Sequence, residues 1–367
     1  MESDLRTYHQ VTYKMKNIVK KKYSIEQPWL PFSELLLTWE AEFHNLMLND
    51  KIRMIAYESA IKLAVKPGDV VVDIGTGTGI LSLWALQAGA SRVYGIDMDK
   101  DILIHAQRRM GSAGYHDKFI AVNNISYDVH ISEKADLVIS EIIGNLADNE
   151  DFQPIIKDAV ERFLKPGGCL IPLSVTSYIV PVTSENSHKL VKNEDIKSLN
   201  SSKYSLRSLM SDKNITSPFN IYYDTVIPVK SHLSTPKLLR CYDHKWEQTS
   251  IYELEIDFVI NHSGEFTGFK GYFMALLYDN IILDISADGL GFGLSSDSWK
   301  HAYLPVERPV SVKKDDRLFL RFSRSYPQDS SIKFRQIYRW KGRIERNSVT
   351  IYEFDQCLDE TLLESGL

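Results

Sequence analysis

Apolar positions along this chain change period twice, and each change marks a new kind of element. Between residues 30 and 66, Leu35, Leu36, Trp39, Phe43, Leu46 and Met47 recur at three- and four-residue spacing, which predicts amphipathic helix. Val70–Ile74 is then an apolar run interrupted only by Asp73, suited to a parallel strand buried on both faces. A glycine turn follows, and ILSLWALQAGA reads as a helix. Arg92–Asp97 predicts a second strand, Asp101–Met110 a helix, Lys118–Val122 a third strand and Ala135–Glu141 a fourth. Phe152–Leu164 predicts a helix and, after the turn KPGG, Cys169–Val175 a fifth strand. Strands alternating with helices imply βαβ units and a parallel sheet covered on both faces.

Past about Pro172 the pattern changes again. Residues 183–218 are rich in Ser, Asn and Lys, which predicts a polar, partly disordered surface excursion. From Val226 onward the runs TVIPV, IYELEIDFVI, GYFMALLY, NIILDI, VSVKK, RLFLRFS and IKFRQIYRW are short and separated by turn residues. They predict an antiparallel sandwich or barrel. The expected architecture is therefore α/β: a Rossmann-like domain over 1–172, then a β-barrel domain over 173–367.

Composition narrows the function classes. With 44% hydrophobic and 25% charged residues, both domains have enough apolar material for a core. A net charge of −5 argues against general nucleic-acid binding and leans toward a cationic substrate. The cysteines, Cys169, Cys241 and Cys357, are far apart and lack metal-ligand spacing, so free thiols and no metal are expected. The polar first 25 residues contain no apolar signal core, and no apolar run approaches the ~20 residues of a membrane helix. A soluble, cytoplasmic protein without a membrane partner is the expectation, with Lys20–Lys22 as solvated surface.

The turn after the first strand carries the first chemistry. Asp73-Ile-Gly75-Thr-Gly77-Thr-Gly79 lets the backbone turn sharply and approach a ligand closely, with helix N–H groups beyond. The dinucleotide fingerprint G-x-G-x-x-G requires glycine at position 80, where Ile80 stands. Asp73 would repel a pyrophosphate but suits the ammonium group of a sulfonium amino acid, and Asp97 is placed to take two ribose hydroxyls. S-adenosyl-L-methionine is the cofactor this implies. Asn124 and Ile125, just past the third strand, are counted with Gly75 and Gly77 in its binding set.

The fourth strand runs into SEIIGNLADNE, which places Glu141 at the carboxyl edge of the sheet, where ligands bind in open α/β folds. Gly144 allows the loop to fold back and bring Glu150 to face Glu141. Converging carboxylates raise one another's pKa unless a cation lies between them, and a guanidinium, with five donors in a planar fork, fits. Asp148 is an alternative to Glu150 in that role.

With these motifs in order, the chain resembles the protein arginine methyltransferases from about residue 40 to 345. The resemblance implies a Rossmann core, a double-glutamate loop with Glu141 and Glu150 as catalytic residues, and a barrel. It also implies an arm at about 183–228 that forms a head-to-tail homodimer against the partner subunit's Rossmann domain. Phe43–Arg53 resembles the family's cofactor-covering helix, so Arg53 inherits the contact to the methionine carboxylate, and His44 and Met47 face the acceptor. Trp299, with Ser298, belongs to the same pocket. Where the family's barrel motif reads Thr-His-Trp, this chain has Asp297-Ser298-Trp299, so the histidine often assigned to proton relay is missing and His301 lies nearby. Ser298 and the loop are similar to the symmetric-dimethylating branch, whereas Met47 is similar to the asymmetric one. Glu34 and Thr38 stand where the family's N-terminal helix has tyrosines, and Trp39 is either a substitute aromatic wall or a core residue.

The leading expectation is an arginine N-methyltransferase whose acceptor is free L-arginine or an arginine in a protein. No appended recognition module is evident, and a composition heavy in Lys, Ile and Asn suits a small-molecule role equally. The alternatives are a non-catalytic cofactor-binding assembly partner and a methyltransferase for another small amine.

Overall fold

The computed structural model describes residues 25–34, 47–198, 204–243, 249–286, 298–327 and 336–364. Helix α1 (Lys51–Ala64) opens on Asp50, whose side chain accepts from the Arg53 N–H. Its buried residues, Ile52, Arg53, Ala56, Tyr57, Ala60, Ile61 and Ala64, recur every three or four positions and form one buried stripe. β1 (Val70–Ile74), α2 (Ile80–Ala88), β2 (Arg92–Asp97), α3 (Lys100–Ser112), β3 (Phe119–Asn123), β4 (Ala135–Ser140), α4 (Phe152–Phe163) and β5 (Leu164–Ile171) follow. The strands form a parallel sheet in the order β3-β2-β1-β4-β5. The order reverses between β1 and β4, so the carboxyl ends of β1, β2 and β4 share one crevice.

The segment KPGG lies within β5 as an irregularity: Leu164 pairs with Ala135, and Cys169 with Leu137. The run Cys169–Val175 is not one strand, because β5 ends at Ile171 and β6 (Ser174–Val182) belongs to another sheet. Pro172, which has no N–H to give a ladder, stands at the break.

After β6 come α5 (Glu185–Lys192), α6 (Leu206–Asp212), β7 (Tyr223–Thr225), β8 (Lys237–Tyr242), β9 (Tyr252–Val259), β10 (Gly264–Tyr278), β11 (Ile281–Asp284), β12 (His301–Val312), β13 (Arg317–Ser325), β14 (Ile337–Arg346) and β15 (Val349–Cys357). One antiparallel sheet runs β7-β12-β10-β6-β8, with β11 on β10, and a second runs β15-β14-β13-β9. Phe258, Phe266, Phe269, Phe322, Tyr338, Trp340 and Phe354 fill the space between them.

Two expectations fail here. TVIPV is not a strand: β7 stops at Thr225, and Val229–Ser231 forms a 3₁₀ turn. Nor are the described residues of 183–218 disordered. Val191, Leu206, Leu209 and Ile215 sink into the barrel core, so a few well-placed apolar side chains outweigh the polar average. No helix among the described residues is long and apolar enough to cross a membrane.

The N-terminal strap 25–34 lies along β7. Trp29 donates its backbone N–H to Asp224 O at 2.8 Å, and Leu30 to Lys197 O at 2.9 Å. It ends in a 3₁₀ turn at residues 32–34.

Candidate functional site

A cleft of about 400 Å³ opens at the carboxyl edge of the parallel sheet. Gly75, Gly77 and Gly79 all have positive φ (69°, 54° and 77°), and a Cβ on Gly75 would come within 2.8 Å of Ile142 Cγ2. This close approach is the reason for glycine in the loop. Asp97, at the end of β2, accepts from the Gly77 N–H at 2.8 Å through Oδ2 and from the Asp99 N–H at 2.9 Å through Oδ1. Asn124 and Ile125 line the same wall, and Ile80, Leu81, Ile96 and Met98 make it apolar. Arg53, Glu141 and Glu150 line the same cleft.

Asp73 is not where it was expected. It lies beneath the loop, fully buried and off the cleft lining, and its Oδ2 accepts from Thr76 Oγ1 at 2.8 Å and Ser82 Oγ at 2.6 Å. Local hydroxyl donors three and nine residues on capture the carboxylate, so it fixes the turn. Burial, partly offset by those hydrogen bonds, pushes its pKa up to about 6. Among the described residues its Oδ1 is buried without a partner.

A second, smaller cavity adjoins the first, and Met47, Glu141 and Glu150 line both. Glu141 pairs with the Arg53 guanidinium, which also lies 5.2 Å from the Trp299 ring centre. Burial lowers the Arg53 pKa, against the pull of Asp50 and Glu150. Glu150 accepts from Ser33 Oγ at 3.1 Å. Burial pushes its carboxyl up to about 7, while Ser33 and Arg53 oppose the rise and Asp224 adds to it.

The glutamate loop is held by the barrel. A Cβ on Gly144 would collide with the Asn149 side chain, so glycine is required for the fold-back. Asp148 accepts from Tyr242 at 2.7 Å, Tyr252 at 2.8 Å and Tyr338 at 2.5 Å. Arg324 bonds Asp148 O at 3.1 Å and Asp151 Oδ1 at 2.5 Å. Asp148 therefore faces the barrel core and cannot take the place of Glu150.

The serine and tryptophan of the barrel motif act on these elements directly. Ser298 donates through N and Oγ to Asp50 Oδ2 at 2.8 and 2.7 Å, latching the barrel to the start of α1. Trp299 Nε1 donates to Ile143 O at 2.6 Å. His301 points away from the site: its Nδ1 accepts from the Ile227 N–H at 3.0 Å, and its Nε2 meets Ile285 O at 2.9 Å. Burial, with Lys270 nearby, holds it neutral, well below the usual histidine range. His44, Trp39, Thr38 and Asp297 lie outside the described residues.

Four polar lining residues were not anticipated: Ser33, Asn145, Asp224 and Lys300. Asp224 accepts from Asn145 Nδ2 at 2.7 Å and the Phe32 N–H at 3.0 Å. Burial pushes its pKa up to about 7, with Lys300 pulling the other way. A lone acid in the apolar run IYYDTVI was a usable signal for Asp224; Ser33 had none.

Comparison with known proteins matches both halves of the chain. A family model described as ribosomal protein L11 methyltransferase (PrmA) covers residues 54–177, and one described as PRMT5 oligomerisation domain covers 174–340. The chain is 39% identical over 142 residues to the probable protein arginine N-methyltransferase 6 of Arabidopsis thaliana, covering 38% of this chain and 32% of that protein. It is 32% identical over 168 residues to protein arginine N-methyltransferase PRMT10 of Oryza sativa subsp. japonica, 45% of this chain and 44% of that one. The chain thus spans about a third to under half the length of the curated relatives it matches.

Among solved structures, Arabidopsis thaliana protein arginine methyltransferase 10 aligns with a TM-score of 0.72 at 18% identity, over 89% of this chain and 100% of that one. A Trypanosoma brucei PRMT1 enzyme–prozyme heterotetramer with AdoHcy aligns with a TM-score of 0.69 at 18% identity, over 87% and 98%. The fold is thus that of a methyltransferase domain followed by antiparallel β-sheets. In that fold and in the sequence matches the chain is similar to protein arginine methyltransferases.

Proposed function

We propose that this protein is an S-adenosylmethionine-dependent arginine N-methyltransferase that acts on a guanidino nitrogen. The observation that carries the reading is that Glu141 and Glu150 stand where the loop-lined cleft meets the second cavity and line both. The close backbone approach at Gly75, the acid Asp97 and the apolar wall fit a nucleoside with an amino-acid tail. Asp97 would hold the ribose and Arg53 the tail carboxylate. When bound, the cofactor supplies an electrophilic methyl on sulfonium sulfur.

Glu141 and Glu150 hold the guanidinium donors and draw its positive charge toward themselves, which leaves one nitrogen free to attack. As that nitrogen gains its methyl it becomes acidic, and Glu150, with a pKa near 7, accepts the proton and passes it to solvent. His301 cannot do so, because both ring nitrogens are bonded within the barrel.

The names of the relatives favour an arginine carried by a protein. The arm at 183–228, built on α5 and α6, is the proposed homodimer contact. Labelled cofactor supplied with an Arg-Gly-rich peptide and, separately, with free L-arginine tests the acceptor. Label entering the peptide as methylarginine supports the reading; label entering free arginine alone reassigns the substrate, and label entering neither overturns the function. Sedimentation at micromolar concentration tests the dimer.

A further inference from the structure

We infer that Ser33, on the N-terminal strap, is a positioning residue for Glu150: its hydroxyl pins one carboxylate oxygen and leaves the other for the acceptor. The inference rests on the methyl-transfer reading for its meaning, but not for its test.

The direction of the hydrogen bond follows from the neighbours. The Leu146 N–H, which can only donate, bonds Asn149 Oδ1 at 2.9 Å. That contact sets the amide, so Asn149 Nδ2 faces Asn145 Oδ1 at 2.9 Å and Ser33 Oγ at 2.9 Å. A hydroxyl has a single proton. Because Ser33 Oγ accepts from Asn149, its proton is left for Glu150 Oε1, 3.1 Å away.

Ser33 is fixed in turn, since both of its neighbours are tethered to other elements. Phe32 donates its N–H to Asp224 Oδ2 at 3.0 Å, from β7. The Glu34 carboxylate pairs with Lys213 Nζ at 2.5 Å and accepts from Tyr222 at 3.0 Å and Gln336 at 3.1 Å. The strap thereby holds a buried hydroxyl over the glutamate loop, 117 positions away in sequence.

The charged groups around Glu150 among the described residues pull both ways. Arg53 on α1 favours its ionised form; Asp224 on β7 opposes it; Glu141, at the end of β4, lines the same cavities and is itself paired with Arg53. Lys300, before β12, and Glu34 act on Asp224 in opposite directions. Ser33 adds a donor that bonds the charged carboxylate better than the neutral acid. A guanidinium is held only by an ionised Glu150, so Ser33 keeps the site competent near neutral pH.

The test reads Glu150 without turnover. In protein labelled with carboxyl-¹³C glutamate, Glu150→Gln identifies the resonance, which is then titrated in wild type, Ser33→Ala and Ser33→Thr. The expected result is an upward move of the midpoint by about one to two pH units in Ser33→Ala, the worth of one hydrogen bond to a charged group. Ser33→Thr returns the midpoint toward wild type. In the matching pH–rate profiles the acid limb moves with it, KM for the guanidine rises at pH 6.5 and cofactor affinity stays unchanged. Superimposed Ser33→Ala and wild-type titrations, or equal shifts in both variants, overturn the inference. Shifted titrations in a protein that methylates no guanidine overturn the proposed function instead and leave the Ser33–Glu150 contact standing.

Discussion

Arg53 on α1 and Glu141 at the end of β4 form an ion pair across 88 positions of sequence, inside the cleft and beside the Trp299 ring. The protein thus carries its own guanidinium against one of the two glutamates at which a substrate guanidinium is proposed to bind. Arg53 also offsets the charge of Glu150, so it balances both acids at once.

Removing that cation is therefore expected to do more than weaken cofactor binding. Arg53→Gln leaves Glu141 buried without its partner, and losing one member of a buried pair costs about 3–5 kcal/mol. Thermal unfolding is expected to show the loss, and calorimetry a weaker cofactor product. A variant as stable as wild type would mean that the pair carries no net weight.

Glu141→Gln and Glu150→Gln are each expected to lower kcat by about 10²–10³, the scale of losing one preorganised electrostatic contact to a transition state. Cofactor affinity in Glu150→Gln should stay within a few-fold of wild type, because the cofactor cleft is walled chiefly by the glycine loop, Asp97 and Asn124. Transfer of labelled methyl, with calorimetry alongside, checks both. Full turnover in Glu141→Gln would instead show that Glu141 takes no part in the transfer, and no transfer by the wild-type protein would favour a non-catalytic cofactor-binding partner.

The pH dependence separates Glu150 from His301. Holding a guanidinium needs Glu150 ionised, so kcat/KM is expected to rise with pH through about 7. His301 stays neutral across that range and is tied to Ile227 and Ile285. His301→Gln should lower stability and leave the midpoint in place, whereas Glu150→Gln should abolish the rise. A midpoint that vanished in His301→Gln would return the proton to the histidine.

How much of this was legible in the sequence depended on how local the causes were. β1, β2 and the start of β4 follow from hydrophobic runs, and Glu141 and Glu150 from the strand end and Gly144. Asp73 falls off the cleft because Thr76 and Ser82 hydroxyls, invisible to a motif, hold its Oδ2 beneath the loop. Asp148 is claimed by tyrosines from β8, β9 and β14, and Ser33 meets Glu150 only after the strap crosses the barrel. Contacts of that range are set by the tertiary fold and leave no spacing in the chain.

The buried acids also make stability fall as pH rises. Burial pushes Asp73 to about 6, and Glu150 and Asp224 to about 7, all above their ordinary values of 3.8, 4.5 and 3.8. A carboxyl whose pKa is higher folded than unfolded binds more protons in the native state, so unfolding free energy drops with pH between the two values. The window here runs from about pH 4 to 7, and above it the penalty is complete. Glu150→Gln keeps an acceptor for Ser33 and removes the charge, so it is expected to stabilise the protein by about 1–3 kcal/mol at pH 8. The gain should vanish near pH 4.5, where the wild-type carboxyl is protonated in the folded state. Urea unfolding at pH 5 and pH 8 measures the difference; a variant equally or less stable than wild type at pH 8 would show that Arg53 and Ser33 fully compensate the burial of Glu150.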